Sequence, residues 1–191
     1  MTQEKIARAI TELGTCLDES FLNQAEAVVD FAGQVVAAFH HNGRLFVAGS
    51  GPLVTVAELI ADRFLHRLSF ERPQLPAFAL GTGSALLQSL GRDRLPRQAE
   101  ARQLRVLAGS DDILLVLGDD SRDEGLTELL QAARQLGCAV AVVGPTRDEG
   151  GDDLANSRFV VNSDSPARLA EAALFFGQLL CELVEAELFG I

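Results

Sequence analysis

The sequence has few of the side chains that most often transfer protons in enzymes. Tyrosine and tryptophan are absent, Lys5 is the sole lysine, and the histidines are His40, His41 and His66. General acid–base catalysis uses mainly histidine, carboxylate, lysine and tyrosine side chains, so few groups are available for it. His40 and His41 come at the end of a predicted helix, where the partial negative charge of the helix terminus accounts for them.

The cysteines show no spacing that would hold zinc. Cys16, Cys138 and Cys181 lie far apart, and no C-x-x-C pair occurs. We expect buried, reduced thiols in a cytoplasmic protein, with no metal and no cofactor. The Gly-x-Ser-x-Gly motif and a Cys/His pair are also missing, so covalent catalysis has no support.

Long apolar segments and an excess of positive charge are lacking as well. No stretch has the ~20 predominantly apolar residues of a membrane span, and the first residues form an amphipathic helical pattern without the features of a secretion signal. The formal net charge is −11 and the sequence pI is about 4.6. Such a surface repels nucleic acid and anionic lipid, so we expect neither a direct contact with nucleic acid nor a membrane association.

Short apolar runs alternate with amphipathic helical patterns along most of the chain, which is typical of a parallel sheet covered on both faces. The runs with the length of a buried strand begin at Leu45, Ala77, Ile113, Ala139 and Phe159. The sequence therefore predicts an α/β fold with a doubly wound, five-stranded parallel sheet. Its length suits a single domain, with a helical pair at 1–42, an α/β core at 43–165 and a C-terminal helix at 166–191.

The helices at the two ends of the chain carry more apolar surface than one sheet can cover. The opening pair has apolar residues at spacings of three and four, and the final helix, from about Pro166 to Leu188, is apolar on more than one face. We expect this surface to be buried between copies of the chain in a homo-oligomer.

The loop after the first strand is one place where a ligand could bind, because ligands of such sheets lie beyond the carboxyl ends of the strands. Gly49, Ser50 and Gly51 in this loop could present backbone N–H groups to an anion at a helix N-terminus. A plain tight turn explains the same residues equally well.

Two further loops after strands are acidic. The loop with Asp119 and Ser121 holds four carboxylates and one arginine within residues 119–124. A carboxylate at a helix N-terminus takes the N–H groups that a phosphate would need, so we predict that this loop caps its own helix. The loop at 144–151 lacks the ligand spacing of a calcium site.

Asp62 and His66 are the candidates for proton transfer that the sequence offers. They stand four residues apart in the helix that follows the first loop, so their side chains could pair on one helical face. Such a pair is more often a surface contact than a catalytic dyad.

Several segments in a fixed order resemble one protein family. They are the Gly-rich turn at 49–51, the ERPxLPAxAL segment at 71–80, Asp93-Arg94-Leu95 and the Asp-Ile-Leu-Leu strand at 112–115. Together they resemble the SIS (sugar isomerase) family, in the branch of the phosphoheptose isomerases and of the proteins that associate with the replication initiator DnaA. The resemblance implies a flavodoxin-like sheet in a homotetramer, with the opening and closing helices bundled between subunits.

The chain departs from this family at the positions that serve a phosphosugar isomerase. Leu53 stands where the first loop has a serine, and the hydroxyl-rich phosphate loop falls on residues 118–123, which are mainly acidic here. A glutamate and a histidine that transfer protons in phosphoheptose isomerases fall on Arg63 and Ala173. The resemblance implies a degenerate phosphosugar pocket with the following members: Gly49, Ser50, Gly51, Asp119 and Ser121.

The end of the chain resembles that of the DnaA-associating proteins, in which a Leu-Phe pair contacts the initiator. This pair falls on Leu188 and Phe189, which could equally close the helix bundle. The main hypothesis from the sequence is thus a non-catalytic homotetrameric scaffold that binds DnaA. The alternatives are a diverged phosphoheptose isomerase that acts on sedoheptulose 7-phosphate, and a sensor that binds a phosphosugar without reacting.

Overall fold

The sheet has the parallel, doubly wound arrangement that the sequence predicts. The computed structural model describes residues 2–119, 122–146 and 154–190. Within them the strands are β1 (Leu45–Gly49), β2 (Ala77–Ala79), β3 (Ile113–Leu117), β4 (Ala139–Gly144) and β5 (Ser157–Val160). Their order is β2-β1-β3-β4-β5, with every neighbouring pair parallel. This is the flavodoxin-like order, and it changes direction between β1 and β3, which confirms the predicted fold.

Helices cover both faces of the sheet. They are α1 (Thr2–Phe21), α2 (Ala25–His40), α3 (Leu53–Leu65), α4 (Ser84–Arg92), α5 (Ala99–Leu107), α6 (Glu124–Leu136) and α7 (Pro166–Phe189). Single turns of 3-10 helix at Leu22–Gln24 and Pro96–Gln98 precede α2 and α5. The opening pair, α1 and α2, and the final helix, α7, lie where the sequence predicts them.

Alternate residues of β1, β3 and β4 enter two separate cores. Leu45, Leu115 and Val143 lie in the core that α1, α2, α3 and α7 cover. Phe46 and Val116, which point to the other face, lie in the core under α5 and α6. Because both faces are covered, β1 and β3 are buried at every residue. This explains why they appear in the sequence as continuous apolar runs instead of alternating ones.

A buried ion pair joins the segment after α3 to the last helix. The Nε atom of Arg72 lies 2.6 Å from Oε1 of Glu185, and the two side chains are 0% and 2% exposed. The other guanidinium nitrogens of Arg72 donate hydrogen bonds to the carbonyl oxygens of Arg63, Phe64 and Pro73. Arg72 therefore satisfies two of the last carbonyl groups of α3, which stabilises the C-terminal end of that helix.

Apolar side chains on α1, α2 and the turn between them are exposed. Ile10 and Leu22 are 68% and 71% exposed, and Val29 is also largely exposed. The structure contains a single chain, so the homo-oligomer stays a prediction. Among the described helices, none is both long enough and apolar enough to cross a membrane.

Leu188 and Phe189, at the end of α7, are half-buried and pack against the core of their own chain. The ring of Phe189 meets the ring of Phe70 edge-on, with 5.9 Å between the ring centres. Phe189 thus contributes to the packing between α7 and the segment after α3.

Candidate functional site

A cavity of about 340 Å³ opens beyond the carboxyl ends of β1 and β3, where the strand order changes direction. We call it the β1 cavity. It is lined by Gly49, Ser50 and Gly51 after β1, Gly81 after β2, Arg97 and Glu100 around the start of α5, and Asp123 and Gly125 at the start of α6. Three of the predicted pocket residues therefore meet here, at the position that ligands of such sheets prefer.

The loop after β1 is a tight turn whose backbone is tied to its surroundings. The N–H group of Ser50 donates to the carbonyl oxygen of Leu117, and the Ser50 carbonyl oxygen accepts from Leu53, both at 3.0 Å. Gly51 has a φ of +52°, a left-handed conformation that favours glycine. Leu53, where the family has serine, is buried in the core, so it brings no hydroxyl group to the cavity.

The first turn of α6 is capped by a carboxylate of the chain itself. Oδ1 of Asp123 accepts hydrogen bonds from the N–H groups of Gly125 at 2.9 Å and Leu126 at 3.3 Å. This confirms the predicted self-capped loop. By the resemblance, Asp123 falls on a position where the phosphate loop of the family has a hydroxyl group. Its carboxylate therefore lies at the helix N-terminus that would otherwise bind a phosphate.

Asp119 lies outside the β1 cavity. It faces a neighbouring cavity of about 440 Å³, which Arg122, Thr146, Ser163 and Ser165 also line. Its Oδ2 atom is 3.1 Å from Nε of Arg122. Ser121, the last predicted pocket residue, lies outside the described residues, as does the acidic segment at 147–153.

Glu100 is a pocket residue that the sequence did not reveal. Its carboxyl group lies against Gly81, where a Cβ atom would come 2.5 Å from Oε1 of Glu100. Burial raises the pKa of Glu100, and the negative charge of Asp123 raises it further, while a hydrogen bond to the backbone opposes both. In the sequence it is one carboxylate of an amphipathic helix, a pattern that normally indicates a solvated face.

Asp62 and His66 lie at the far end of α3. That helix begins at the cavity, and Asp62 stands nine positions after Leu53, which is ~14 Å along the axis. Both side chains are exposed, and within the described part of the chain no hydrogen bond or ion pair joins them. The backbone N–H of His66 donates to the carbonyl oxygen of Asp62 at 2.7 Å, as in any helix end.

The two positions that transfer protons in phosphoheptose isomerases provide no such group here. Ala173 is fully buried on α7. Arg63 is half-buried, and its Nε atom is shielded from solvent without a hydrogen-bond partner. Neither can exchange a proton with a substrate near neutral pH, because alanine has no ionisable group and arginine does not lose its charge.

The cysteines are buried free thiols, as predicted. Burial, together with the nearby carboxylates of Asp112 and Glu185, raises the pKa of Cys138 to about 11 and that of Cys181 to about 12. Both thiols are therefore protonated and unreactive near neutral pH. In residues 2–119, 122–146 and 154–190, no three His, Cys, Asp or Glu side chains are grouped so as to hold a metal ion.

Comparisons with known proteins agree with this geometry. A family model of the SIS domain matches residues 10–144. The phosphoheptose isomerase of Solidesulfovibrio magneticus is 31% identical over 185 residues, which are 96% of this chain and 90% of that protein. A similar protein of the same name from Thermodesulfovibrio yellowstonii is 27% identical over 99% of this chain and 94% of its own. A solved phosphoheptose isomerase from Francisella tularensis superposes with a TM-score of 0.85 at 25% identity, covering 96% of this chain and 98% of its own.

These relatives correct the main hypothesis from the sequence. A non-catalytic scaffold that binds DnaA is wrong, because the relatives that match almost the whole chain carry the name of an isomerase. Packing against the core of their own chain accounts for the apolar side chains at Leu188 and Phe189. The chain belongs to the SIS domain family, in its phosphoheptose isomerase branch.

Proposed function

We propose that this protein is a diverged phosphosugar isomerase, which binds an open-chain sugar phosphate in the β1 cavity and interconverts its ketose and aldose forms. The similarity to phosphoheptose isomerases along nearly the whole chain supports the reaction class. The observation that carries the proposal is the cavity itself. It lies at the switch in strand order and contains a hydroxyl group, Ser50, and a carboxyl group with a raised pKa, Glu100.

The phosphate of such a ligand has to be bound without the first turn of α6, which Asp123 already occupies. Arg97 is the arginine that lines the β1 cavity. Its guanidinium group pairs with Glu124, and both side chains are largely exposed. An exposed ion pair contributes only ~0–1 kcal/mol, so a phosphate can replace Glu124 as the partner of Arg97 at little cost.

A second candidate is a protein that binds the phosphosugar without converting it. The observation that favours it is the loss of proton-transfer groups at Arg63 and Ala173. Both candidates place the ligand in the same cavity, and they differ only in turnover.

Ligand binding and turnover can be measured on the same purified protein. We expect sedoheptulose 7-phosphate to raise the melting temperature, with stabilisation that follows RT ln(1 + [L]/Kd). Inorganic phosphate serves as the control for simple anion binding. An NMR time course of the same mixture then separates the candidates, since an aldose product indicates the isomerase and stabilisation without product indicates the sensor. No stabilisation at millimolar ligand and no product would refute both.

The role of Arg97 can be tested with a matched variant. We expect Arg97→Ala to weaken binding of the sugar phosphate several-fold. Arg102→Ala is the control, because Arg102 lies on α5 outside the cavity and its side chain bonds to Gln98. Equal affinities of the two variants would show that Arg97 does not bind the phosphate.

We further propose that the protein acts as a homo-oligomer, with a second copy covering the exposed apolar residues of α1 and α2. Ile10 and Val29 lie on this surface, and a single chain leaves them in water. Light scattering after size-exclusion chromatography is expected to give a dimer or tetramer, and Ile10→Asp is expected to shift it toward the monomer. A monomeric wild-type protein at micromolar concentration would refute this proposal.

A further inference from the structure

We propose that Glu100 is the catalytic residue that moves a proton between two carbon atoms of the bound sugar. The inference rests on the proposed isomerase function and assigns its acid–base group. It gives the role to a residue on α5, in place of the positions on α3 and α7 that Arg63 and Ala173 occupy.

The geometry places this carboxyl group inside the cavity. Glu100 lines the β1 cavity together with Ser50 and Gly51, and its Oε1 atom fills the space where a side chain at residue 81 would stand. The backbone there is held in place, because the N–H of Gly81 donates to Oε1 of Gln103, one turn further along α5, at 2.7 Å. A glycine at residue 81 is thus what makes room for the carboxyl group.

The other ionisable groups that face the cavity are less suited to take a proton. The Oδ1 atom of Asp123 already accepts two backbone hydrogen bonds from the first turn of α6, so this carboxylate is engaged in capping the helix. Arg97 stays charged and pairs with Glu124. For Glu100, burial raises the pKa toward neutral pH, where a general base is most effective.

The step that Glu100 would perform is balanced in atoms and charge. Starting from the ketose, the Glu100 carboxylate takes a proton from C1, and the electrons of the broken C–H bond form the double bond of an enediol. The same carboxylic acid, whose proton exchanges in part with solvent, then gives a proton to C2, forming a new C–H bond. The hydroxyl proton passes from O1 to O2 through solvent, so the aldose has the same atoms as the ketose and no oxidant or cofactor is consumed.

The test compares Glu100→Gln with wild type, using sedoheptulose 7-phosphate in D₂O. Glutamine keeps the shape of the side chain but cannot carry the proton. We expect its rate of product formation, and of deuterium uptake at C2 of the aldose, to fall about 100-fold or more. The Kd from thermal-shift titration is expected to change less than about threefold, because the lost step is chemical. Glu58→Gln, on the exposed side of α3, is the matched control and is expected to keep the wild-type rate.

The outcomes separate this inference from the function on which it rests. Wild-type protein that forms no product and takes up no deuterium would refute the isomerase function and Glu100 with it. Active wild-type protein together with an equally active Glu100→Gln variant would overturn only the role of Glu100. If the glutamine variant does not fold, the pH–rate profile of the wild type provides the test. A base with a raised pKa requires a rate that still increases with pH above the ordinary pKa range of glutamate, and a rate that is constant there would overturn the role of Glu100.

Discussion

Replacement of Asp123 by serine is expected to convert the start of α6 into a better phosphate site. In the present structure the Asp123 carboxylate accepts from the N–H groups of Gly125 and Leu126. A phosphate bound at these N–H groups would lie close to the carboxylate. At ~4 Å two unit charges repel by about 1 kcal/mol in water and about 4 kcal/mol at the effective dielectric constant of a protein surface. Removal of the charge should thus tighten binding by about fivefold to about 700-fold.

The serine variant should fold as well as the wild type. Serine and aspartate are similarly good N-cap residues, so the free energy of unfolding is expected to change by no more than about 1 kcal/mol. This separates a change in affinity from a change in stability. A test of unfolding by urea, run beside the binding assay, verifies the assumption.

The assay is calorimetric titration with sedoheptulose 7-phosphate and with inorganic phosphate at low ionic strength. Asp119→Ser is the control, since it removes an acidic side chain from the neighbouring cavity and leaves the Asp123 cap in place. We expect a tighter Kd for Asp123→Ser and a much smaller change for the control, with the gain reduced by added salt. A dissociation constant equal to that of the wild type for both ligands would refute the argument that this carboxylate opposes phosphate.

Three further predictions concern stability. Because the folded-state pKa of Glu100 is raised, the folded protein binds more protons than the unfolded chain, and its free energy of unfolding falls as pH rises from about 4.5 through that raised pKa. Glu100→Gln should lack this fall when urea unfolding is measured at several pH values. A pH dependence equal to that of the wild type would contradict the prediction. Glu185→Ala leaves the buried Arg72 without its partner, which should cost about 3–5 kcal/mol in the same assay, and an unchanged free energy of unfolding would contradict it. Gly177→Ala places a methyl group against the side chain of Ile60 and should lower the free energy of unfolding by about 1–3 kcal/mol. In a double-mutant cycle, Ile60→Val should return a measurable part of this loss. Additive effects would show that the two positions do not touch.

The fold was predictable from the sequence because it depends on patterns that repeat along the chain. The apolar runs that became β1 and β3 are buried on both faces, and this burial leaves the same signature in any parallel sheet. The cap on α6 was predictable for a similar reason, since the preference of carboxylates for helix N-termini is local.

The site was predictable only where it depends on local sequence. Gly49 to Gly51 adjoin a strand and were found, but Glu100 enters the cavity through the packing of α5 beside the loop after β2, a contact between distant segments. Asp62 and His66 failed to reach the cavity because α3 carries them away from it along its axis. Leu188 and Phe189 suggested a partner through the resemblance of the chain's end to the DnaA-associating proteins. Their burial was not visible in the sequence, because Phe70, which contacts Phe189, is remote in the chain.

The charges around the β1 cavity imply that its ligand is recognised mainly through hydroxyl groups. Glu100 and Asp123 both face it, and carboxyl groups bind sugar hydroxyls well but repel phosphate. The arginine at its edge, Arg97, is largely exposed and already paired, so its net gain from a phosphate is ~0–1 kcal/mol. We therefore expect sedoheptulose and sedoheptulose 7-phosphate to bind the wild type with dissociation constants within about tenfold of each other in calorimetric titrations. In Asp123→Ser the phosphorylated sugar should gain affinity and the free sugar should not. A wild-type preference for the phosphate of a hundredfold or more would refute the argument that the charges of this cavity oppose a phosphate.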